Sequence, residues 1–149
     1  MKYGFVWLSL IGLVGCGGSS DDNWTKNRPA TYPVTGMVIY KGNPLPNATV
    51  VFSSQGENPT AAVGRTDEQG AFSLTTFNDQ DGAVAGEHQV LITATKIKGP
   101  PPGANLDEVD PTVTEISLIP QKFGEPGNSG LSATVTESGP NQFFFDVTE

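Results

Sequence analysis

The sequence predicts an all-β protein, an antiparallel sandwich of seven short strands. Apolar and polar residues alternate with a period of two in seven short segments, which is typical of strands that bury one face. After residue 15, no segment of helical length has apolar residues spaced at the 3.6-residue period of a helix. The 18 glycines and 12 prolines are dispersed along the chain, as expected for many turns between short strands. Because each strand has one apolar face to bury, two packed sheets are the natural architecture.

Four of the predicted strands precede residue 75. The first begins at Val34 and ends before the segment 41–47, whose glycine and asparagines tolerate a positive φ and whose prolines cannot donate to a strand ladder. The second starts at residue 48, the third spans 61–66, and a four-residue hairpin connection at 67–70 leads to the fourth. The inward positions of the first, second and fourth strands are Val34, Val38, Tyr40, Ala48, Val50, Phe52, Phe72 and Leu74.

The last three predicted strands follow an acidic turn at 78–82. A proline-rich, acidic loop at 99–111 interrupts them, and loops of this length are usually functional or disordered. The apolar stretch 116–123, broken at Pro120, is expected to be extended, and 138–141 is expected to form a turn. The inward positions of these three strands are His88, Val90, Ile92, Leu131, Ala133, Val135, Phe143, Phe145 and Val147.

The amino-terminal segment has the organisation of a secretory signal. The amino terminus and the lysine behind it are positive, and residues 5–14 are uncharged over a length too short to span a bilayer as a helix. The run Leu13-Val14-Gly15-Cys16 resembles the lipobox of bacterial lipoproteins. The resemblance implies that the signal peptide 1–15 is cleaved between Gly15 and Cys16. It also implies a thioether from the cysteine to diacylglycerol, and several acyl chains on one residue anchor a protein firmly.

This lipidation sets the expected organisation and location. Cys16 is the only cysteine, so no intramolecular disulfide can form, and acylation removes a free thiol from an oxidising compartment. Residues 16–33 are expected to be the lipidated cysteine and a flexible tether, and residues 34–149 the folded domain. We expect a cell-envelope protein, anchored to a bacterial membrane and facing the periplasm or the exterior. Gly17 in place of aspartate favours, by resemblance to lipoprotein sorting rules, the outer membrane.

Three segments of the domain resemble the carboxypeptidase regulatory-like domain. They are Val34-Thr35-Gly36-Met37-Val38, Pro44-Leu45-Pro46-Asn47-Ala48-Thr49-Val50 and Thr66-Asp67-Glu68-Gln69-Gly70-Ala71-Phe72-Ser73-Leu74. The resemblance extends over residues 34–95 and implies a prealbumin-like (transthyretin-like, Ig-like) sandwich. His88 takes the position at which this family often has the tyrosine of a Gly-x-Tyr pattern. These motifs specify turns and core positions, so they indicate a fold and not a function.

His88, the only histidine, is predicted to belong to the core. It shares a strand face with Val90 and Ile92, and the chain has no second histidine to join it. The only thiol is the one expected to be acylated, so neither a metal site nor a nucleophilic pair can form around this histidine. The sequence therefore assigns no catalytic residue.

Asp79 and Asp81 are the two candidates for a metal site. They precede Gly82 as in a calcium loop, but with Gly82 aligned to the invariant loop glycine, Phe77 and His88 occupy ligand positions. We therefore expect no metal, and no cofactor other than the covalent diacylglycerol and fatty acid. Both aspartates are expected to stabilise their own turn, and asparagine at position 81 is expected to be tolerated.

These observations predict a lipid-anchored, non-enzymatic envelope protein whose sandwich is an accessory, binding or structural module. Its expected partners are the membrane, through the lipid, and an envelope protein or glycan, while the net charge of −8 argues against nucleic acid. No ligand-binding residue is assigned. Two alternatives are a carbohydrate-binding module, which needs a row of exposed aromatics, and an adhesive or assembly subunit, which uses exposed sheet edges. The aromatics expected outside the core are Trp24, Tyr32, Phe77, Phe123 and Phe144.

Overall fold

The computed structural model describes residues 27–99 and 114–149 and is all-β, as the sequence predicts. The signal peptide 1–15, the cleavage site at Gly15 and Cys16, and most of the loop 99–111 lie outside the described residues. No helix in the described ranges is long and apolar enough to cross a membrane. The strands are β1 (Thr31–Tyr32), β2 (Val34–Tyr40), β3 (Asn43–Pro44), β4 (Thr49–Ser54), β5 (Ala61–Arg65), β6 (Ala71–Ser73), β7 (Ala83–Val84), β8 (Gly86–Thr93), β9 (Thr95–Lys98), β10 (Thr114–Ser117), β11 (Leu131–Val135) and β12 (Asn141–Asp146).

Two main sheets pack face to face. The first sheet is wholly antiparallel, in the order β11–β8–β4–β5. The second is centred on β2, which has β12 on one side and both β3 and β6 on the other. Two small sheets complete the fold, because β1 pairs with β7 and β9 pairs with β10. The fold therefore begins before residue 34: β1 belongs to a sheet and not to a flexible tether.

Each of the seven predicted strands is present, as β2, β4, β5, β6, β8, β11 and β12, but the count of seven is not confirmed. The described residues contain twelve strands, because five further short ones flank the main sheets. The antiparallel prediction is wrong for the last strand, since β12 runs parallel to β2, with Asn141 opposite Val34 and Asp146 opposite Ile39. A period-two alternation buries the same side chains in either direction, so the sequence pattern carries no information about this choice.

The stretch 116–123 is only partly extended. β10 ends at Ser117, and Gln121–Gly124 form a 3₁₀-helix after Pro120. The helical turn directs Phe123 into the core, where it is 3% exposed. The prediction that Phe123 lies outside the core is therefore wrong, because a single tight turn reverses the direction that an extended chain would give its side chain.

The two main sheets are joined along one edge. Val63 of β5 and Thr75, just after β6, exchange a pair of backbone hydrogen bonds of 2.9 Å each. The predicted turn at 67–70 makes the connection: the Asp67 carboxylate accepts from the backbone N–H groups of Gln69 and Ala71, each at 2.9 Å. Gly70 closes the turn with a φ of +73°, a conformation that favours glycine. The turn thus links strands of different sheets.

A cluster of aromatic rings fills the space between the sheets. Phe52 of the first sheet is fully buried, and its ring centroid lies 5.5 Å from that of Phe143 and 6.0 Å from that of Phe145, both on β12. The rings of Phe72 on β6 and His88 on β8 complete the shell around it, at 6.4 Å and 5.7 Å. Aromatic pairs at these spacings stabilise a core beyond the area that they bury.

Phe145→Ala should lower the free energy of unfolding by about 3–5 kcal/mol, because it removes a ring from the contact between the sheets. Phe145 is 6% exposed, whereas its neighbour Phe144 on the other face of β12 is 62% exposed. Phe144→Ala is therefore the matched control, and a surface truncation of this kind should change stability by no more than about 0.5 kcal/mol. Chemical denaturation of both variants measures the difference, and equal losses would contradict the assignment of the two faces.

Candidate functional site

The acidic turn named by the sequence is a compact loop held by Asp81. Its carboxylate accepts three backbone hydrogen bonds: from Thr76 to Oδ1 at 2.7 Å, and from Phe77 and Asn78 to Oδ2 at 3.0 Å and 2.9 Å. Gly82 follows with a φ of +87°, and a Cβ at this position would overlap the carbonyl oxygen of Tyr32. The prediction that Asp81 stabilises its own turn is confirmed.

These hydrogen bonds also determine the electrostatics of the Asp81 carboxyl. Partial burial acts to raise the pKa of Asp81, but hydrogen bonds from the backbone of Thr76, Asn78 and Phe77 and from the Thr31 side chain outweigh it and lower the pKa below its ordinary value. Both oxygens accept hydrogen bonds from backbone N–H groups of the loop.

The structure does not bring Asp79 and Asp81 together into a ligand set. Asp79 is exposed, while Asp81 is turned inward onto the loop backbone. Within residues 27–99 and 114–149, no group of three or more histidine, cysteine, aspartate or glutamate side chains is placed to hold a metal ion. The Asp81 carboxylate stabilises the loop by accepting hydrogen bonds from its backbone N–H groups.

Asp81→Asn should lower the free energy of unfolding by about 1–3 kcal/mol at neutral pH, because one amide oxygen replaces two carboxylate oxygens that serve three donors. The structure thus revises the expectation that asparagine is tolerated. Since the folded-state pKa is lowered, the contribution of Asp81 is present above the ordinary pKa and is lost as the pH falls through the lower folded-state value. The difference in the free energy of unfolding between wild type and variant should accordingly become smaller as the pH falls.

Thermal unfolding as a function of pH measures this difference, and Asp79→Asn is the matched control because Asp79 is exposed. A difference in melting temperature between wild type and Asp81→Asn that stays constant down to low pH would contradict the role of the ionised carboxylate. Millimolar calcium should leave the melting temperature of the wild type unchanged, since binding to the native state alone would raise it.

His88 is a core residue, as predicted. Its side chain is 2% exposed, its ring packs against Phe52, and its Nε2 atom lies 2.8 Å from the carbonyl oxygen of Val84. A carbonyl can only accept, so Nε2 donates this hydrogen bond. Nδ1 is buried with no hydrogen-bond partner in the described part of the chain. The imidazole thus serves as an aromatic core group that also ties β8 to β7.

Thr66 fastens the turn that precedes β4. Its side chain is 3% exposed, and its hydroxyl donates to the carbonyl oxygen of Leu45 at 2.6 Å and accepts from the N–H of Ala48 at 2.8 Å. Asn47 lies between them with a φ of +58°. The hydroxyl therefore bridges the carbonyl of Leu45 and the N–H of Ala48 in place of a direct hydrogen bond between them. It also holds the turn against the end of β5.

Thr66→Val should destabilise the domain by about 2–4 kcal/mol, since a carbonyl and an N–H group are both left buried without a partner. Thr66→Ser keeps the hydroxyl and removes only a methyl group, so it should cost about 1 kcal/mol. Denaturant titration of the two variants compares them. A valine variant as stable as the serine variant would refute the role of the hydroxyl.

Another buried polar residue, Asn141, connects the segment before β12 to the residue before β2. It is 7% exposed, its Oδ1 accepts from the N–H of Thr136 at 2.8 Å, and its Nδ2 donates to the carbonyl of Thr136 at 3.0 Å and to that of Pro33 at 3.4 Å. These bonds place the start of β12 beside the start of β2. Like Asp81 and Thr66, the side chain is engaged by backbone groups.

The predicted exposed aromatics do not form a row. Phe144 is exposed, Tyr32 packs partly buried against the core, and Phe77 is half-buried beneath the Arg28 guanidinium, which lies 5.0 Å from its ring centroid. Phe123 is buried, and Trp24 lies outside the described residues. A flat aromatic platform for sugar rings is therefore not assembled from Tyr32, Phe77, Phe123 and Phe144.

The described residues also form a groove that the sequence did not reveal. Its volume is about 1060 Å³, and it follows the outer face of β12, β2 and β6 to the joined edge of β5. Phe144 lies opposite Met37 in the β12–β2 register, and Val63 of β5 lines the groove with them. The period-two pattern identifies each of these residues as an outward position. Only the pairing of the strands shows that they lie close together.

Comparisons with known proteins add little. No protein-family model matches the chain, and no curated protein matches it. Among solved structures, the crystal structure of a 9R-lipoxygenase from Cyanothece PCC8801 is similar at 15% identity and a TM-score of 0.38, over 80% of this chain. The chain spans 17% of the length of that protein. A likeness of this extent carries no argument about fold or function.

Proposed function

We propose that this chain is a lipid-anchored, non-enzymatic protein of the bacterial cell envelope whose β-sandwich is an accessory, binding or structural module. The observation that carries the proposal is the run Leu13-Val14-Gly15-Cys16 after a short uncharged apolar segment, with no other cysteine in the chain. A small residue directly before a lone cysteine resembles the processing site of lipoproteins. Acyl chains on this cysteine would supply the membrane affinity.

The polar residues of the sandwich support a non-enzymatic role. Asp81 caps a loop, Thr66 closes a turn, His88 is buried in the aromatic cluster, and Asn141 holds the start of β12. A general acid, base or nucleophile must reach a substrate, and each of these groups is instead directed at the backbone of its own domain.

The position of the first described residues indicates which end of the sandwich would face the membrane. Arg28 packs over Phe77, and β1 pairs with β7, so the chain leaves the sandwich at the end where β8 begins. Ten residues lie between Cys16 and Asn27. The eleven steps from one residue to the other allow an extended span of at most about 36–40 Å. This end would therefore lie nearest the membrane.

Of the two alternatives, assembly has more support than carbohydrate binding. Phe144 is the one strongly exposed aromatic in the described ranges, so a stacking surface for glycans would rest on a single ring. Exposed apolar residues from three strands, in contrast, line the groove together: Met37, Val63 and Phe144. A contiguous exposed apolar surface is a feature of protein contact sites.

Cys16→Ser should abolish the incorporation of labelled fatty acid and leave the precursor uncleaved at this position, because the acyl acceptor is the thiol. Ser19→Cys in the Cys16→Ser background is the matched control: it restores a cysteine to the same segment without the apolar run directly before it, and should stay unlabelled. Metabolic labelling with fractionation of the membranes measures both. Equal labelling of wild type and Cys16→Ser would remove the anchor.

A further inference from the structure

The charged side chains of the described residues are unevenly distributed between the two ends of the sandwich. The end at which β8 begins is called the tether end, because the chain leaves for the anchor there. It comprises the chain before β2, the start of β8 and the loops 55–60, 76–82 and 136–140. Contacts hold these segments at one end: the Glu87 carbonyl accepts from the N–H of Gln55. The Asn141 amide likewise donates to the Pro33 carbonyl.

Acidic residues dominate the tether end. Five of its described side chains are acidic and one is basic, so its net charge is −4. The basic residue is Arg28, which is half-buried over Phe77, and one acidic residue is Asp81, which is held inward by its loop. The other four acidic side chains are all exposed: Glu57, Asp79, Glu87 and Glu137.

The rest of the sandwich is nearly neutral. Its described residues carry six acidic side chains and five basic ones. Lys41 follows the far end of β2, and Arg65 is the last residue of β5, which ends on the same side. The other three basic residues come after the far end of β8, which lies about 23 Å along that strand from the tether end: Lys96, Lys98 and Lys122. Charge is thus segregated along the strands.

This segregation has a consequence at a membrane, because the tether end is the one that the proposed anchor places nearest the lipid. In this respect the inference rests on the proposed function. A surface rich in anionic lipids has a potential of about −30 to −50 mV. At about −30 mV, a net charge of −4 lowers the population of molecules with this end at the surface about a hundredfold. The ten residues between Cys16 and Asn27 include two aspartates and one lysine, so they do not reverse the sign.

We propose that the acidic tether end holds the sandwich away from the anionic headgroups of the membrane to which the chain is anchored. The anchor permits this separation, because the chain from Cys16 to Asn27 spans up to about 36–40 Å. That length is several times the Debye length of about 10 Å at about 0.1 M salt, so the acidic end can leave the surface potential while the chain stays anchored. The groove along β12, β2 and β6 is thereby kept clear of lipid and open to a partner in the envelope.

Neutron reflectometry on supported bilayers measures the gap between the headgroups and the protein layer without a label. The acylated protein is reconstituted in phosphatidylcholine alone and in an equimolar mixture with phosphatidylglycerol, without divalent cations. In about 0.1 M salt, the gap should be wider on the anionic bilayer by about one Debye length, about 10 Å. In about 1 M salt the difference should fall to about 3 Å or less. Equal gaps on both bilayers, or a narrower gap on the anionic one, would overturn the proposal.

Charge removal at the tether end tests the acidic residues themselves. The triple variant Glu57→Gln, Glu87→Gln and Glu137→Gln changes the net charge of this end from −4 to −1 and leaves the Asp81 loop intact. Its gap on the anionic bilayer should become equal to its gap on the neutral one, because the repulsion scales with the charge. A variant that keeps the full wild-type difference would contradict the proposal.

The matched control removes three exposed glutamates away from the tether end. Glu68→Gln, Glu115→Gln and Glu149→Gln make the same change in the net charge of the whole protein. These residues lie beyond the Debye length from the membrane-facing loops, so the wider gap on the anionic bilayer should persist. An equal loss of the difference in both triple variants would show a general effect of net charge and contradict the role of the tether end.

The anchor and the repulsion can fail separately. If metabolic labelling shows that Cys16 is not acylated, its thiol, the only one in the chain, can be coupled to a maleimide lipid in the same bilayers. A wider gap on the anionic bilayer would then support the repulsion although the natural anchor is wrong. If Cys16 is acylated and the two gaps are equal, the repulsion is wrong and the anchor stands.

Discussion

The contact of Phe52 with the rings of the opposite sheet is the interaction on which the rest of the structure depends. Phe52 is the only phenylalanine of the first sheet within the described residues, and it meets Phe72, Phe143 and Phe145 of the second. Strands β6 and β12 reach this cluster only because both pair with β2. The outer groove is the reverse side of the same strands, so the rings that join the sheets also position Phe144 and Met37 at the surface.

The buried side of the fold could be predicted from the sequence because alternation reports directly on it. Phe52, Phe145 and His88 were all expected inside and are buried. The direction of β12 could not be predicted, since a strand buries the same residues whether it runs parallel or antiparallel. The burial of Phe123 was missed because one 3₁₀ turn, which leaves no periodic signal, changes where the side chain points.

The candidate site was predictable only where it is local in sequence. A turn held by Asp81 follows from the residues around it, but the three N–H groups that converge on its carboxylate depend on the path of the loop. The groove is a different case: Met37, Val63 and Phe144 are far apart in the chain, and only the pairing of β2 with β12 and of Val63 with Thr75 brings them together. The same holds for the pairing of β9 with β10, whose strands enclose residues 99–113.

A double-mutant cycle between Phe52 and Phe145 tests the central role of the aromatic contact most directly. The free energies of unfolding of Phe52→Leu, Phe145→Leu and the double variant are compared with that of the wild type. The ring centroids lie 6.0 Å apart with nearly perpendicular planes, so a coupling energy of about 0.5–1.5 kcal/mol is predicted. Losses that add without coupling would show that each ring acts only through the area it buries, and would contradict the account.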